Sequence, residues 1–86
     1  MTKFKKQLAK VLDGTADKSF AFVDLCTLLK KLGFEERIKG SHHIFWRNGV
    51  EEIINLQKGN DGNSKPYQMK QVREIIILYK LVNEIE

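Results

Sequence analysis

Residues 42–56 read HHIFWRNGVEEIINL and contain the clearest structural signal in the chain. The segment from His42 to Arg47 is rich in aromatic and branched side chains, and Val50 to Leu56 follows with a similar composition, so each segment favours a β-strand. Asn48-Gly49 between them is the strongest signal for a two-residue hairpin turn in the chain. The two strands are therefore predicted to be neighbours in an antiparallel sheet.

A shorter strand is predicted just before this hairpin. At Phe34 the apolar period changes from helical to roughly alternating, and the segment continues through Ile38 to Lys39-Gly40. The sheet is then a three-stranded antiparallel meander. The strand that carries both histidines is expected to lie in its middle.

Two amphipathic helices are predicted before the sheet. The first covers residues 3–12 and surrounds its apolar stripe with lysines. The second is predicted from Phe20 to Leu32, with Ser19 as its N-cap and Gly33 as its stop.

A third helix is predicted after the sheet. It follows a polar, glycine-rich loop over residues 57–64, begins at Lys65-Pro66 and repeats its apolar residues as far as Val82. The order helix, helix, strand, strand, strand, helix predicts an α+β fold with the helices on one face of the sheet. The other face would be open to water or to a partner.

Length and composition limit the chain to one small globular domain, since 86 residues leave too few to build a second core. The net charge of +4 favours polyanionic partners, although ordinary surface charge explains so mild an excess equally well. Cys26 is the sole cysteine, which excludes an intrachain disulfide, and it is expected to be a small buried hydrophobe. Because there is no signal peptide and no apolar run of about 20 residues, we predict a cytoplasmic protein without a membrane segment.

The two adjacent histidines are the candidate catalytic residues. Histidine exchanges protons near neutral pH, and RNA cleavage needs a base that takes the proton from a ribose 2′-hydroxyl. Neighbouring strand positions point to opposite faces, so His42 shares its face with Ile44 and Trp46, and His43 shares the other with Phe45 and Arg47. Neither face is cleanly polar, so the residues leave the choice open. A structural role for both histidines is the competing interpretation.

Residues around the histidines are candidates for RNA contact. Gly40 would let a phosphate backbone approach closely, and the Ser41 hydroxyl offers a hydrogen-bond donor. Lys65 lies at a helix start, where free backbone N–H groups already favour an anion. Tyr67 and Trp46 are candidates for stacking on bases. The further candidates for phosphate contact are Arg47, Lys58, Lys70 and Arg73.

Several of these candidates have a plainer interpretation. Core packing is expected for Trp46, and a solvated helix face for Lys70 and Arg73. The chain has no glycine-rich nucleotide loop, no carboxylate cluster with metal-ligand spacing and no histidine or cysteine set for zinc. We therefore predict neither a metal nor a cofactor.

Three separated motifs resemble a known family. Gly40-Ser41-His42-His43-Ile44-Phe45 is followed by Asn55-Leu56-Gln57 and then by residues 65–72, KPYQMKQV. In this order they resemble the HicA toxins, also called YcfA-like proteins, of bacterial type II toxin–antitoxin systems. The resemblance covers roughly Phe22 to Tyr79 and includes the LKKLGF segment at residues 29–34.

The resemblance implies a double-stranded-RNA-binding-like fold and a ribosome-independent endoribonuclease that cuts mRNA and is neutralised by a HicB antitoxin. The catalytic histidine of the glycine-serine-histidine motif carries over to His42, with His43 as the open alternative. On this basis the chain divides into an N-terminal helical extension, residues 1–18, and a HicA-like domain, residues 19–86.

Two functions from other classes compete with the toxin interpretation. A non-catalytic RNA-binding module would block translation by occupancy, and its binding would weaken steeply with salt. A protein-interaction domain would instead dock a partner chain on its open sheet face.

Overall fold

The computed structural model describes residues 2–84 and confirms the α+β architecture. The strands form a single antiparallel sheet in the order β1-β2-β3, with β2 in the middle. After the first helix, the α–β–β–β–α order is the predicted double-stranded-RNA-binding-like arrangement. The elements are α1 (Lys3–Asp13), α2 (Phe22–Lys31), β1 (Glu35–Lys39), β2 (His42–Arg47), β3 (Val50–Gln57), α3 (Pro66–Leu78) and a 3₁₀ turn (Leu81–Glu84).

Two tight turns set the register of the sheet. Lys39 pairs with His42 across the turn that Gly40 opens, and Gly40 adopts a φ of +59°, which favours glycine. Arg47 pairs with Val50 across the predicted Asn48-Gly49 turn. The register shifts between Phe45 and Arg47, which marks a local irregularity of the β-bulge type.

A single hydrophobic core lies between the helices and one face of the sheet. All three α-helices and both longer strands contribute to it, so the sheet has a helix-covered face and an open face. Burial of this apolar surface is the main stabilising contribution to the fold. The side chains at its centre are Val11, Leu25, Leu28, Leu29, Phe45, Ile54, Leu56, Met69, Val72 and Ile76.

Helix α2 begins two residues later than predicted, and the assignment of Ser19 as its N-cap is wrong. Ala21 occupies the N-cap position without a side-chain hydrogen bond. The preceding residues are held extended instead, because the Ser64 N–H donates to the Phe20 carbonyl at 2.8 Å and the Phe22 N–H donates to the Gly62 carbonyl at 3.1 Å. The glycine-rich loop therefore caps the helix with its backbone.

Helix α3 ends at Leu78, before the predicted end at Val82. Lys80 has a φ of +54°, so the chain leaves the helical path there and returns Leu81 to the core. The Tyr79 hydroxyl donates to Glu52 on β3 and accepts the Glu51 N–H at 3.3 Å. These contacts with the sheet replace a further helical turn.

The guanidinium of Arg73 ties α3 to the first helix and to the loop that follows it. It donates to the Val11 carbonyl at 3.0 Å and to both carboxylate oxygens of Asp17 at 3.0 and 3.1 Å. The expectation of a freely solvated Arg73 is therefore wrong. Among residues 2–84, no helix combines the length and the apolar character that crossing a bilayer requires.

Candidate active site

The two histidines lie on opposite faces of the sheet, as strand alternation requires. His42 is exposed on the open face together with Trp46, whose side chain is 40% exposed. The expectation that Trp46 packs in the core is therefore wrong. His43 lies on the helix-covered face beside the fully buried Phe45, and it is only half-buried because it sits at the edge of the core.

His43 belongs to a chain of polar contacts that joins three elements. Its Nδ1 lies 2.8 Å from Glu36 Oε2 on β1, and Glu36 Oε1 lies 2.7 Å from Lys30 Nζ on α2. The Phe22 ring meets the imidazole edge to face, with 4.9 Å between the ring centroids. The imidazole is therefore held by a carboxylate on one side and an aromatic ring on another.

The Glu36 carboxyl is ionised in this arrangement. Burial acts to raise its pKa, but the hydrogen bonds from His43 and Lys30 outweigh burial and lower the pKa of Glu36 below the ordinary value. The hydrogen bond between Lys30 and Glu36 also raises the pKa of Lys30. An ionised carboxylate only accepts hydrogen bonds, so Nδ1 of His43 carries the hydrogen. In the neutral ring Nε2 then holds a lone pair, as a general base must.

His43 lines a groove of about 740 Å³ between α2 and the turn that joins β1 to β2. Two lysines lie at this groove, Lys30 from α2 and Lys58 just after β3. Ser41 also lines it, and its hydroxyl accepts a hydrogen bond from the Gln57 side chain at 2.9 Å. The groove therefore combines a histidine, a hydroxyl and two cationic side chains, a set suited to a phosphodiester.

His42 has a different partner. Its Nδ1 lies 3.0 Å from the Asn55 side-chain oxygen, on the exposed face of the sheet. A neutral amide orients the ring but stabilises an imidazolium less than a carboxylate does. The two adjacent histidines thus differ in both charge environment and location.

The predicted RNA-binding residues fall into separate groups. Gly40 forms the turn beside the groove, with open space next to its Cα, while Ser41 and Lys58 line the groove itself. Arg47 lies at the other end of β2, half-buried, where its side chain packs against Gly33. The structure therefore does not bring Arg47 to the groove.

The remaining predicted residues lie at the start of α3. Lys65 is the half-buried N-cap residue, and its N–H donates to the Gln68 side chain at 3.3 Å. Tyr67 is 64% exposed in the first turn, and Lys70 is exposed one turn later. None of the three is among the residues that line the groove. They form a separate surface at the start of this helix.

Sequence reasoning missed Glu36 and Lys30. A signal for Glu36 existed, because a two-residue turn at Gly40-Ser41 pairs Ile38 with His43 and places Glu36 diagonally across from the histidine on the same face. No comparable signal existed for Lys30. Its position depends on how α2 packs across the sheet.

Cys26 lies in the wall of the same groove and is 7% exposed. Its expected burial is confirmed. Burial, together with the nearby Glu36 carboxylate, raises the pKa of the Cys26 thiol to about 12. One ligand atom from each of Cys26, Glu36 and His43 lies within 4.8 Å of the other two. The sequence did not predict this cluster.

Comparison with known proteins gives one family match. The family model described as the HicA toxin of bacterial toxin–antitoxin systems matches residues 23–76, which is more than half of the chain. Neither the search of curated proteins nor the search of solved structures returned a significant match. The matched segment contains both histidines, most of α3 and every residue that lines the groove except Phe22. The chain therefore belongs to the HicA toxin family, and such a toxin has an antitoxin partner.

Proposed function

We propose that this protein is a ribosome-independent endoribonuclease that cleaves mRNA, with His43 as its general base. The observation that carries the proposal is the contact of His43 Nδ1 with the ionised Glu36, which leaves Nε2 as a base in a groove with Lys30 and Lys58. Glu36 would stabilise the imidazolium that forms when the ring accepts a proton. The two lysines would offset the charge of the phosphate.

The proposed reaction is an intramolecular transesterification. His43 Nε2 takes the proton of the ribose 2′-hydroxyl, and the 2′-oxygen forms a bond with the neighbouring phosphorus. The bond from phosphorus to the 5′-oxygen breaks, water in the open groove gives a proton to that oxygen, and the imidazolium of His43 returns its proton to the hydroxide that is left. The products are a 2′,3′-cyclic phosphate and a 5′-hydroxyl. Every proton and bond in this scheme balances without a metal or a cofactor.

His42 was the favoured residue from the family resemblance, and the geometry supports its neighbour instead. His42 contacts a neutral amide on the open face, whereas His43 contacts a carboxylate inside the groove. The two residues are adjacent and identical in type. Each is therefore a matched control for the other.

The test is cleavage of a purified RNA by the wild-type protein and by His43→Ala and His42→Ala. We expect His43→Ala to lose about 10²- to 10⁴-fold in rate, the usual contribution of a general base, and His42→Ala to stay within about threefold of wild type. Affinity for a 2′-deoxy analogue, which cannot react, checks that binding is retained. Circular dichroism checks the fold of each variant.

Three outcomes contradict the proposal. Loss of cleavage in His42→Ala with full cleavage in His43→Ala would move the general base to the open face. Intact RNA at saturating wild-type protein would favour the non-catalytic binding module, whose affinity should fall steeply with salt. Loss of wild-type activity on adding a chelator would refute the metal-free reaction.

We further propose that the antitoxin is a HicB-like protein and that the toxin acts in the cytoplasm. The exposed residues at the start of α3, Lys65, Tyr67 and Lys70, would extend the RNA contact beyond the groove through phosphate binding and stacking. Residues 1–18 would form an extension to the HicA-like domain of residues 19–86. Reduced RNA affinity of Tyr67→Ala, with an unchanged rate at saturation, is the expected result for such a secondary contact.

A further inference from the structure

We propose that Cys26, Glu36 and His43 form a Zn²⁺ site in the wall of the groove and that bound zinc inhibits the nuclease. The first half of this inference concerns binding and stands by itself. The second half rests on the proposed function, because it takes His43 to be the general base.

The three residues come from three different elements and meet at one point. Cys26 lies on α2, Glu36 on β1 and His43 on β2, and their ligand atoms all lie within 4.8 Å of one another. Bond lengths of about 2.0–2.3 Å in a tetrahedral zinc site place ligand atoms roughly 3.3–3.8 Å apart. The largest separation must shorten by at most about 1–1.5 Å, and the 2.8 Å between His43 Nδ1 and Glu36 Oε2 must lengthen by about 0.5–1 Å if Nδ1 is the ligand. We expect rotation of the side chains to supply both changes.

The ligand set fits zinc better than the common hard cations. A thiolate and an imidazole suit Zn²⁺, whereas Mg²⁺ and Ca²⁺ take oxygen ligands. Three protein ligands leave the fourth tetrahedral position to a water molecule, and this position would face the groove. Zinc takes the thiolate, so binding would release the proton of the Cys26 thiol to solvent. If the ion binds Nδ1 of His43, the hydrogen between this atom and Glu36 Oε2 would move to Nε2.

The surroundings already provide an outer partner for the ion. Lys30 contacts the other carboxylate oxygen of Glu36 at 2.7 Å, so it fixes the carboxylate and leaves Oε2 for the metal. The Cys26 and Glu36 side chains are 7% and 10% exposed, and the Phe22 ring packs against the imidazole. Shielding from water strengthens the interaction between an ion and these ligands.

Zinc bound to either ring nitrogen of His43 would prevent this residue from acting as the general base. If the ion binds Nε2, the lone pair that accepts the 2′-hydroxyl proton is occupied. If it binds Nδ1, the neutral ring must keep its hydrogen on Nε2. Cleavage therefore stops in both cases while the fold stays intact.

The binding test uses Co²⁺ as a spectroscopic substitute and Zn²⁺ in competition with a chromophoric chelator, on the full chain. We expect one equivalent of Co²⁺ to give a thiolate-to-cobalt charge-transfer band. Cys26→Ala should lose this band, and both Cys26→Ala and Glu36→Gln should weaken Zn²⁺ binding by at least about a hundredfold, more than the loss of an outer-shell partner costs. His42→Ala, which removes the histidine on the opposite face, should bind as wild type does.

The proposed site requires that the charge-transfer band is present in the wild-type protein and absent in Cys26→Ala. A wild-type protein without the band, or a Cys26→Ala variant with unchanged Zn²⁺ affinity, overturns the site. Circular dichroism on each variant distinguishes a lost ligand from a lost fold, and Glu36→Gln gives a second, independent reading.

The inhibition test adds Zn²⁺ to the RNA cleavage reaction. We expect Zn²⁺ to stop wild-type cleavage, a chelator to restore it, and Cys26→Ala to cleave in the presence of Zn²⁺. Cleavage that persists in wild-type protein saturated with Zn²⁺ overturns the inhibitory role. RNA that stays intact even without Zn²⁺, beside a normal cobalt spectrum, refutes the proposed nuclease and leaves the metal site standing.

Discussion

At the scale of single residues, two adjacent histidines acquire different chemistry from the faces they occupy. His42 points into solvent and contacts an amide, while His43 points under α2 and contacts an ionised carboxylate. Glu36 in turn is kept ionised by its contacts with His43 and Lys30. The proposed site is therefore a property of the whole contact chain rather than of the histidine alone.

Glu36 is a positioning residue in this scheme, and Glu36→Gln tests that role. An amide in its place no longer stabilises the imidazolium, so we expect kcat for RNA cleavage to fall by at least about tenfold while KM changes little. Steady-state kinetics on a purified RNA separates the two constants.

The matched control is Glu35→Gln, which removes one negative charge from the neighbouring exposed position on the opposite face of β1. It should leave both constants near their wild-type values. An equal loss in the two variants would show that overall charge, not the contact with His43, is responsible.

At the scale of elements, the site depends on the β1–β2 turn and on the way α2 begins. The turn at Gly40 sets the register that brings Glu36 and His43 together. The backbone of the loop at residues 62–64 holds the chain before α2 extended, so that the helix begins at Phe22, beside His43. The β1–β2 turn and the backbone contacts between residues 20–22 and 62–64 thus decide where the walls of the groove lie.

The end of α3 gives a prediction about pH. The hydrogen bond that Tyr79 donates to Glu52 raises the pKa of the tyrosine hydroxyl. A raised folded-state pKa contributes stability that is fully present below the unfolded value of about 10 and is lost as the pH rises through the folded pKa. The wild-type protein should therefore exceed Tyr79→Phe in free energy of unfolding at neutral pH, and this difference should shrink in alkali.

Urea denaturation of both proteins at neutral and at alkaline pH measures this difference. Tyr67→Phe is the matched control, because it removes the hydroxyl of the other, exposed tyrosine. A difference between wild type and Tyr79→Phe that stays constant across the alkaline range would argue against the assigned hydrogen bond.

At the scale of the whole molecule, the first helix shares the core of the rest of the chain. Leu8 and Val11 of α1 are buried in the same cluster as the residues of α2 and α3. The contacts of Arg73 with Val11 and Asp17 add a polar tie between the beginning and the end of the described chain. Helix α1, which belongs to the proposed extension of residues 1–18, is thus packed into the core that supports the groove.

We expect Leu8→Ala to lower the free energy of unfolding by about 2–4 kcal/mol, because removing the buried leucine side chain leaves a cavity in the core. Lys6→Ala, on an exposed position of the same helix, should change it by less than about 0.5 kcal/mol. Urea denaturation monitored by circular dichroism gives both values. A Leu8→Ala variant as stable as wild type would indicate that α1 contributes little to the core.

Local sequence patterns predicted the sheet, the order of the elements and the family correctly. Turn chemistry and side-chain periodicity are local, so Asn48-Gly49 and the pattern of residues 42–56 sufficed for the central hairpin. The helix ends were less predictable. Helix α2 begins after Ala21 and helix α3 ends before Tyr79, and at both places the backbone or side chains contact distant segments. No local sequence pattern contains such contacts.

Contacts between distant parts of the chain place His43 in the groove and determine which side chains surround it. Strand alternation separated His42 from His43, but the packing of α2 across one sheet face chose between the faces and brought Lys30 to Glu36. The same packing placed Cys26 beside His43. Contacts between residues far apart in the chain depend on how whole elements pack. This packing is fixed because the helices bury their apolar stripes, and the local preferences of these polar residues do not determine it.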